Sequence, residues 1–274
     1  MKGPVTVKYL IIPVIVSASL LLSCEDVIQV NLKNATPRIV IEGSISNLSD
    51  TVFIQVHRST DYFTPTAIAS VNDAVVSVTD SAGTLHPLTN IADGLYAGVN
   101  IKSKPGDIFN LAVTDAGVNY AASATMPVLV QIEDLYIDKN PDRLDEDRVN
   151  ILIDDPAGIA NYYMVDVFRN DTILNSGNHF ILYTDKYFDG KKNYLQISGR
   201  RLDIRSFTPG DKIRVRLRNT ERIMYDYFDI LRSITDGGQI LSVSTPSNPP
   251  NNIDNGAMGY FGVWSVSEKT VIAN

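Results

Sequence analysis

Short runs of alternating apolar and polar residues, each followed by a turn signal, limit the possible folds of this chain more than any other feature. In the run at 51–57, Val52, Ile54 and Val56 fall on one face, because successive side chains of a strand point to opposite sides. Similar runs predict further strands at 37–43, 73–84, 93–98, 105–127, 148–158, 161–171, 209–219 and 260–268. The run at 105–127 is long enough for two strands and is predicted to form a hairpin. Short strands with turns at regular spacing are typical of a β-sandwich.

The strands divide into two groups near Pro127. We predict a mainly β fold of two β-sandwich domains of the immunoglobulin or transthyretin type, the first at 37–128 and the second, β-rich one at 129–274. The tripeptide PGD precedes an alternating strand in both groups, at 105–107 and 209–211. This echo is compatible with two domains of related plan, but three residues are too few to establish a duplication.

One α-helix is predicted within the second domain, near 220–235. Thr220 could cap its first turn, and Glu221 suits the positive end of the helix dipole. An apolar stripe at spacings of three and four is formed by Met224, Tyr227, Phe228 and Leu231. We expect this stripe to pack on the sheet of its own domain, and docking of a partner is the alternative.

The N-terminus has the pattern of an export signal that ends in a lipid anchor. Lys2 and Lys8 precede an apolar stretch at 9–22 that is too short to span a bilayer comfortably. The residues at the end of this stretch, Leu21 to Cys24, resemble a lipobox, in which the cysteine sulfur receives a diacylglycerol and the freed amine a third acyl chain such as palmitate. We therefore predict a signal peptide at 1–23 and a lipidated tether at 24–36, attached through Cys24. The alternatives are an ordinary signal peptide with a chance cysteine, or a short buried helix.

Composition and motifs argue against several classes of function. The chain has a formal net charge of -7 and a pI near 5.0, whereas nucleic-acid binding calls for a basic surface. The sequence contains no nucleophile elbow, no P-loop and no dinucleotide fingerprint. His57, His86 and His179 are scattered, so zinc is not predicted, and an acylated Cys24 cannot act as a nucleophile. We predict no enzyme activity, no cofactor and no metal.

Carboxylate pairs are the remaining route to catalysis. Asp154 with Asp155, or Asp134 with Asp138, could serve as the two acids of a glycosidase. Sequence gives neither the separation of such a pair nor a raised pKa, so this function stays an alternative.

A calcium loop is conceivable at 138–147. Asp138, Asn140 and Asp142 have the 1, 3, 5 spacing of calcium ligands, and Asp145 or Asp147 could complete the shell. Arg143 stands where such loops use glycine, and position 12 is Val149 instead of glutamate. We therefore favour a solvated loop between the domains.

Two groups of side chains could form a binding surface. The first is a basic row on one face of a strand, Lys212, Arg214, Arg216 and Arg218, which could meet an acidic receptor or lipopolysaccharide phosphates. A solvated strand face that is neutralised by nearby acids, or an edge that is protected by long cations, is the favoured interpretation. The second is a set of aromatics that could form a glycan platform but is assigned to core packing, Tyr62, Phe63, Tyr187, Phe188 and Trp264.

Several longer stretches carry a family resemblance. They are CEDVIQVNLKNATPRIVIEGSIS, NDAVVSVTDSAG, GDIFNLAVTDAGVNYAASATMP, DKYFDGK, the tyrosine-bearing helix and NIDNGAMGYFGVWS. In this order they resemble a Bacteroidetes lipoprotein family, domain of unknown function 4249. The loop before NNIDNG departs from the family pattern, which often has a longer, more aromatic approach there. Glu25 and Asp26 also resemble the signal that sends such lipoproteins to the outer face of the outer membrane, and a solvated acidic tether is the alternative.

The resemblance implies a lipid-anchored, surface-facing β-protein of the outer membrane, often encoded near TonB-dependent receptors, with no established activity. We predict a non-catalytic binding or accessory subunit, with a TonB-dependent receptor as a candidate partner. A surface hydrolase of glycans or peptides, with carboxylates that converge only in the fold, is the alternative.

Overall fold

The computed structural model describes residues 37–60, 69–175, 177, 179–202, 206–235 and 248–274. The predicted signal peptide, Cys24 and the tether lie outside these residues, as do Tyr62 and Phe63. Pro37–Asn274 forms one compact unit. Within the described ranges, no helix has both the length and the apolar character needed to cross a bilayer.

The described chain is mainly β, as predicted, with one α-helix. The first eight strands are β1 Ile39–Ser46, β2 Val52–Arg58, β3 Ala69–Ser70, β4 Val75–Thr79, β5 Leu85–Ala92, β6 Leu95–Gly98, β7 Ile108–Asp115 and β8 Val118–Thr125. The remaining elements are β9 Ile132–Asn140, β10 Arg143–Asp154, β11 Tyr162–Arg169, β12 Thr172–Ile173, β13 Ile181–Thr184, β14 Lys192–Ser198, β15 Lys212–Thr220, α1 Arg222–Thr235 and β16 Met258–Ile272.

The strands form two sheets. A large sheet has the order β12-β11-β15-β16-β1-β2-β6-β5-β4-β7-β8, with β13 beside β11 and β3 beside β2. A small sheet has the order β14-β10-β9. The last strand, β16, pairs in parallel with β1 and antiparallel with β15, so it joins the two halves of the large sheet.

The described residues form two main cores, which follow the predicted boundary at residue 128 except that residues from 253–263 join the first core. The first is enclosed by β1 to β8 and the start of β16, with Ile41, Ile54 and Phe109 fully buried. In the second, the small sheet packs on β11, β13 and β15, through residues such as Ile151 and Val165. The two-domain division itself is not confirmed, because β16 contributes to both cores and 37–274 is one compact unit.

The segment 251–257 covers the edge of the large sheet at β8. The Ala121 amide donates to the Asp254 carboxylate at 2.7 Å, and the Asp254 amide donates to the Ala121 carbonyl at 3.0 Å. Ile253 also forms a bridge with Ala122. Main-chain groups of β8 that would otherwise be free for another strand are thereby paired within the chain.

The helix is confirmed at Arg222–Thr235, but its predicted cap is wrong. Thr220 is the last residue of β15, and its buried hydroxyl has no hydrogen-bond partner among the described residues. The apolar stripe packs on the protein's own sheet, as expected. Met224, Tyr227 and Phe228 form a third core with sheet residues that include Met164, Trp264 and Val266.

Candidate functional site

The outer face of the small sheet brings together aromatic and polar side chains. On β10, Val149 and Ile151 point into the core, so Arg148 and Asn150 must point outward. The register then aligns three strands, because Asn150 lies opposite Tyr136 of β9 and Gln196 of β14. We call this surface the tyrosine face, defined by Tyr136, Asp138, Arg148, Asn150, Tyr194 and Gln196.

Two tyrosines meet on this face across β10. The rings of Tyr136 and Tyr194 are 5.7 Å apart between centroids and inclined by 77°, an edge-to-face arrangement that aromatic pairs favour. Tyr194 remains 42% exposed. Partial burial raises the pKa of Tyr136, and the neighbouring Tyr194 and Asp138 raise it further. The pair therefore offers solvent a shaped aromatic surface.

A closed ring of hydrogen bonds lies beside the tyrosines. Arg148 grips Asp138 with two bonds, from Nε to Oδ1 at 3.0 Å and from Nη2 to Oδ2 at 2.6 Å. Asn150 donates to Asp138 Oδ1 at 2.8 Å and accepts from Gln196 Nε2 at 3.0 Å. Arg148 Nη1 completes the ring by donating to Gln196 Oε1 at 3.5 Å. The Arg148 guanidinium also lowers the pKa of Asp138.

A cleft of about 400 Å³ adjoins the tyrosine face and shares Tyr136 and Asp138 with it. Its other walls come from the hairpin β9–β10, from residues 206–209 and from residues 271–274. Asp147 helps to hold these walls together, since it accepts from Lys139 Nζ at 2.6 Å and from the Phe207 amide at 2.7 Å. The cleft lies within the usual size range of small-molecule sites, about 300–1,000 Å³.

Sequence reasoning did not single out Tyr136, Arg148, Asn150, Tyr194 or Gln196. The alternation of tyrosine with aliphatic residues was a usable signal. Tyr136 is flanked by Leu135 and Ile137, and Tyr194 precedes Leu195. Each tyrosine could therefore have been assigned to the outer side of a strand. What could not be read from the sequence is the register that sets both beside β10.

The prediction that 138–147 is a loop between domains is wrong. The segment forms the turn end of the hairpin of β9 and β10. Its acids do not converge on a common centre. Asp138 is committed to Arg148, Asp147 is committed to Lys139, and the Asp142 amide donates to Asn140 Oδ1 at 3.1 Å in the turn. The calcium-like spacing therefore belongs to two paired strands.

A different group of carboxylates converges in the structure. Oxygens of Asp155, Asp185 and Asp189 lie within 4.8 Å of one another. Asp155 follows β10, Asp185 follows β13, and both are buried, whereas Asp189 is exposed. Three carboxylates at this distance could hold a hard cation such as Ca²⁺ or share a proton.

Each of these carboxylates also accepts a hydrogen bond that joins the segment 155–161 to the segment 185–190. Asp155 accepts from the Tyr163 hydroxyl and from the Gly190 amide at 3.1 Å. Asp185 accepts from the Asn161 amide at 2.6 Å, and Asp189 accepts from the Gly158 amide at 2.8 Å. Burial raises the pKa of Asp155, and burial beside that carboxyl raises the pKa of Tyr163.

The carboxylate pairs considered from sequence are not brought together as pairs. Asp154 is exposed and lies 3.9 Å from Lys192, whereas its neighbour Asp155 is buried against Tyr163. Asp134 accepts from the Leu135 amide at 2.9 Å, and Asp138 is held by Arg148. Asp154 and Asp155 are separated because adjacent residues of an extended chain point to opposite sides.

The basic row on β15 is neutralised by acids from neighbouring strands, as favoured from sequence. Glu268 of β16 accepts from Arg214 at 2.8 Å and from Arg216 at 2.7 Å, and both guanidiniums lie over the Phe168 ring. Asp166 of β11 pairs with Arg218. The suggestion of an edge strand is wrong, because β15 lies between β11 and β16.

The described members of the predicted aromatic set are dispersed. Trp264 is buried in the third core, with its ring centroid 6.0 Å from that of Phe228, so its assignment to core packing is confirmed. Phe188 stacks on Tyr163 at 6.4 Å. Tyr187 is 83% exposed, so its assignment to core packing is wrong, and it lies outside the tyrosine face. Of the histidines, His86 bonds to Asp80 at 2.9 Å.

Comparison with known proteins identifies a family but no activity. The sequence profile of a family described as a domain of unknown function, DUF4249, matches residues 25–270. No curated protein matches the chain. Solved structures that resemble it include a segment of two fibronectin type III domains from chicken tenascin, at 10% identity over 68% of this chain and 91% of that one, with a TM-score of 0.21.

Two further structures show a similar level of likeness. The FN1–FN3 domains of chicken CNTN1 are 9% identical over 85% of this chain and 67% of that one, with a TM-score of 0.20. The Yersinia pseudotuberculosis adhesin InvE is 16% identical over 66% of this chain and 55% of that one, with a TM-score of 0.22. Scores this low carry no argument about the function of this chain.

Proposed function

Because the chain belongs to the family described as a domain of unknown function, DUF4249, whose description gives no activity, we propose a function from the site itself. The protein is a non-catalytic binding module that an N-terminal lipid holds at the outer membrane, facing the cell surface. It acts as an accessory subunit, and a TonB-dependent receptor of an uptake system is its partner.

The tyrosine face is the observation that carries the binding role. A surface binds well when its side chains are already held in place, because less conformational entropy is lost when the ligand arrives. Here Asn150 is fully buried and bonds to both Asp138 and Gln196, which fixes their orientation. The exposed ring of Tyr194 lies beside this fixed network.

The anchor and the location have their support in the sequence. A positively charged start, an apolar stretch and the lipobox-like residues before Cys24 together favour lipidation, and several acyl chains anchor a protein stably. Glu25 and Asp26 favour the surface-facing leaflet. The receptor partner has its support in the family resemblance alone.

Affinity isolation of the full-length lipidated protein from its native outer membranes tests this function. We expect a membrane receptor to co-isolate with the wild type and to be lost from a Tyr194→Ala, Gln196→Ala double variant. Tyr187→Ala, which changes an exposed tyrosine elsewhere, should retain it. A Cys24→Ala variant should incorporate no labelled palmitate and leave the membrane fraction. Recovery of the wild type alone would count against the accessory role.

Hydrolysis is a second candidate, favoured by the convergence of Asp155, Asp185 and Asp189. A raised pKa on one carboxyl beside another carboxylate is the arrangement of a general acid with its partner. Against it, Asp155 and Asp185 are only 3% and 5% exposed, and backbone amides already bond to both. Release of reducing sugars or of peptides by the wild type, abolished in Asp185→Asn, would establish this function in place of the first.

A further inference from the structure

We infer that the tyrosine face binds a neutral carbohydrate chain. The inference rests on the proposed binding function and names the class of ligand for that site.

The aromatic pair suits the apolar side of a sugar ring. Pyranose rings present axial C–H groups on one face, and these pack on the negative face of an aromatic ring. Tyr136 and Tyr194 are inclined by 77°, so a ligand that stacks on one ring meets the other at its edge. This corner fixes the direction in which a chain of sugars can run.

The polar network suits sugar hydroxyls, each of which both donates and accepts. Gln196 uses one amide hydrogen for Asn150, so its second hydrogen is available to a hydroxyl. Asp138 is oriented by Arg148 and Asn150, and its oxygens have further lone pairs. Asn150 is completely buried and is therefore a positioning residue that holds the other two.

The charges on and beside this face favour a neutral ligand over an anionic one. The Arg148 guanidinium forms a bidentate ion pair with Asp138. Lys192, at the start of β14, pairs with Glu133 at 2.6 Å. An anionic ligand would have to compete with Asp138 and Glu133 for the side chains of Arg148 and Lys192. Sugar hydroxyls can hydrogen-bond to these ion pairs without breaking them.

The dimensions favour a short stretch of chain. Three strands at a spacing of about 4.8 Å make a face about 10 Å across, and the adjoining cleft extends it past Tyr136 and Asp138. A peptide strand is the rival occupant, by addition to β14, which is an outer strand of the small sheet within the described ranges. That edge is already engaged at one point, because the Gln196 carbonyl accepts from the Tyr183 hydroxyl at 2.8 Å.

Native affinity electrophoresis of the full-length protein in detergent tests the inference. The probes are four soluble neutral polysaccharides cast separately in the gel, namely laminarin, galactomannan, xyloglucan and dextran. We expect at least one of them to retard the wild type. For that polysaccharide, Tyr194→Ala should weaken binding about tenfold, which is the effect of losing a contact of about 1.4 kcal/mol.

Matched variants distinguish a binding role from a structural one. Gln196→Ala should also weaken binding, while Tyr187→Ala should bind like the wild type. All three should keep the wild-type circular dichroism, and Tyr194→Ala and Tyr187→Ala should also keep the melting temperature, whereas Gln196→Ala should lower it because the buried Asn150 oxygen loses its donor. Absence of retardation by every polysaccharide, or equal retardation of Tyr194→Ala and wild type, overturns the inference.

The outcome is separable from that of the proposed function. If the Tyr194→Ala, Gln196→Ala double variant loses a co-isolated membrane protein and the wild type binds none of the polysaccharides, the binding role stands and the carbohydrate inference fails. If a polysaccharide binds and the wild type is isolated from membranes alone, the inference stands and the receptor partnership fails.

Discussion

Gly259 of β16 lies so close to β1 that a Cβ atom built on it would stand 2.1 Å from the carbonyl oxygen of Ile41. The two residues are register partners in the parallel pairing of the first and last strands. Gly259 also has a φ of +97°, a conformation that L side chains rarely adopt. The pairing that joins the two halves of the large sheet therefore requires a residue without a side chain at this position.

Gly259→Ala should destabilise the protein by roughly 2 kcal/mol or more, because the new methyl group adds a clash to the backbone strain. Urea denaturation followed by the fluorescence of Trp264 measures the change. Gly106→Ala is the matched control, since Gly106 has a φ of +90° but no heavy atom within 4 Å of the added Cβ. Equal losses in the two variants would mean that the contact with Ile41 contributes nothing.

Thr220→Val should stabilise the protein by about 1 kcal/mol, because it removes a buried hydroxyl without a partner among the described residues and keeps the shape of the side chain. Ser267→Ala provides the comparison. The Ser267 hydroxyl is also buried but donates to the Val130 carbonyl at 2.8 Å, so its removal should cost about 1 kcal/mol. Thermal melts of both variants suffice, and opposite signs are the expected result.

Asp155→Asn should change how stability depends on pH. Burial raises the pKa of Asp155 above its value of 3.8 in the unfolded chain, so the folded state binds this proton more tightly. The stabilisation from this group is complete below the unfolded pKa and is lost as pH rises through the folded one.

Asparagine does not titrate, so the stability of Asp155→Asn relative to wild type should increase between about pH 4 and pH 7. Chemical denaturation at intervals across this range measures the trend. Asp154→Asn removes a carboxylate from the exposed neighbouring residue and serves as the control. A relative stability of Asp155→Asn that stays constant with pH would contradict the expectation.

Glu268→Gln should expose the positive charge of the β15 row, because one carboxylate oxygen accepts from both Arg214 and Arg216. We expect this variant to elute from a heparin column at higher salt than the wild type. Glu133→Gln makes the same change of net charge beside Lys192, in the small sheet instead of beside the row. If both variants shift equally, net charge alone explains retention and the row is not masked by Glu268.

Much of the secondary structure was predictable because alternation is a local signal. The runs at 51–57 and 161–171 correspond to β2 and β11, and the helix lies where its apolar stripe predicts it. β5 was missed because Pro87 interrupts it, and proline normally argues against a strand interior. The turn end of the β9–β10 hairpin, 138–147, was mistaken for a loop because its residues are nearly all charged or polar and so lack the apolar alternation of a strand.

By itself, the sequence determined the fold class, the position of the helix and the alternation that puts the basic residues of β15 on one face, since each follows from side-chain types at short spacing. Tertiary structure alone decided that β16 pairs with β1, that Asp155 meets Asp185, and that Tyr136 meets Tyr194. These contacts join residues far apart in the chain, and they depend on strand register. Register is set by the burial of whole sheets against one another, a property that no local pattern contains.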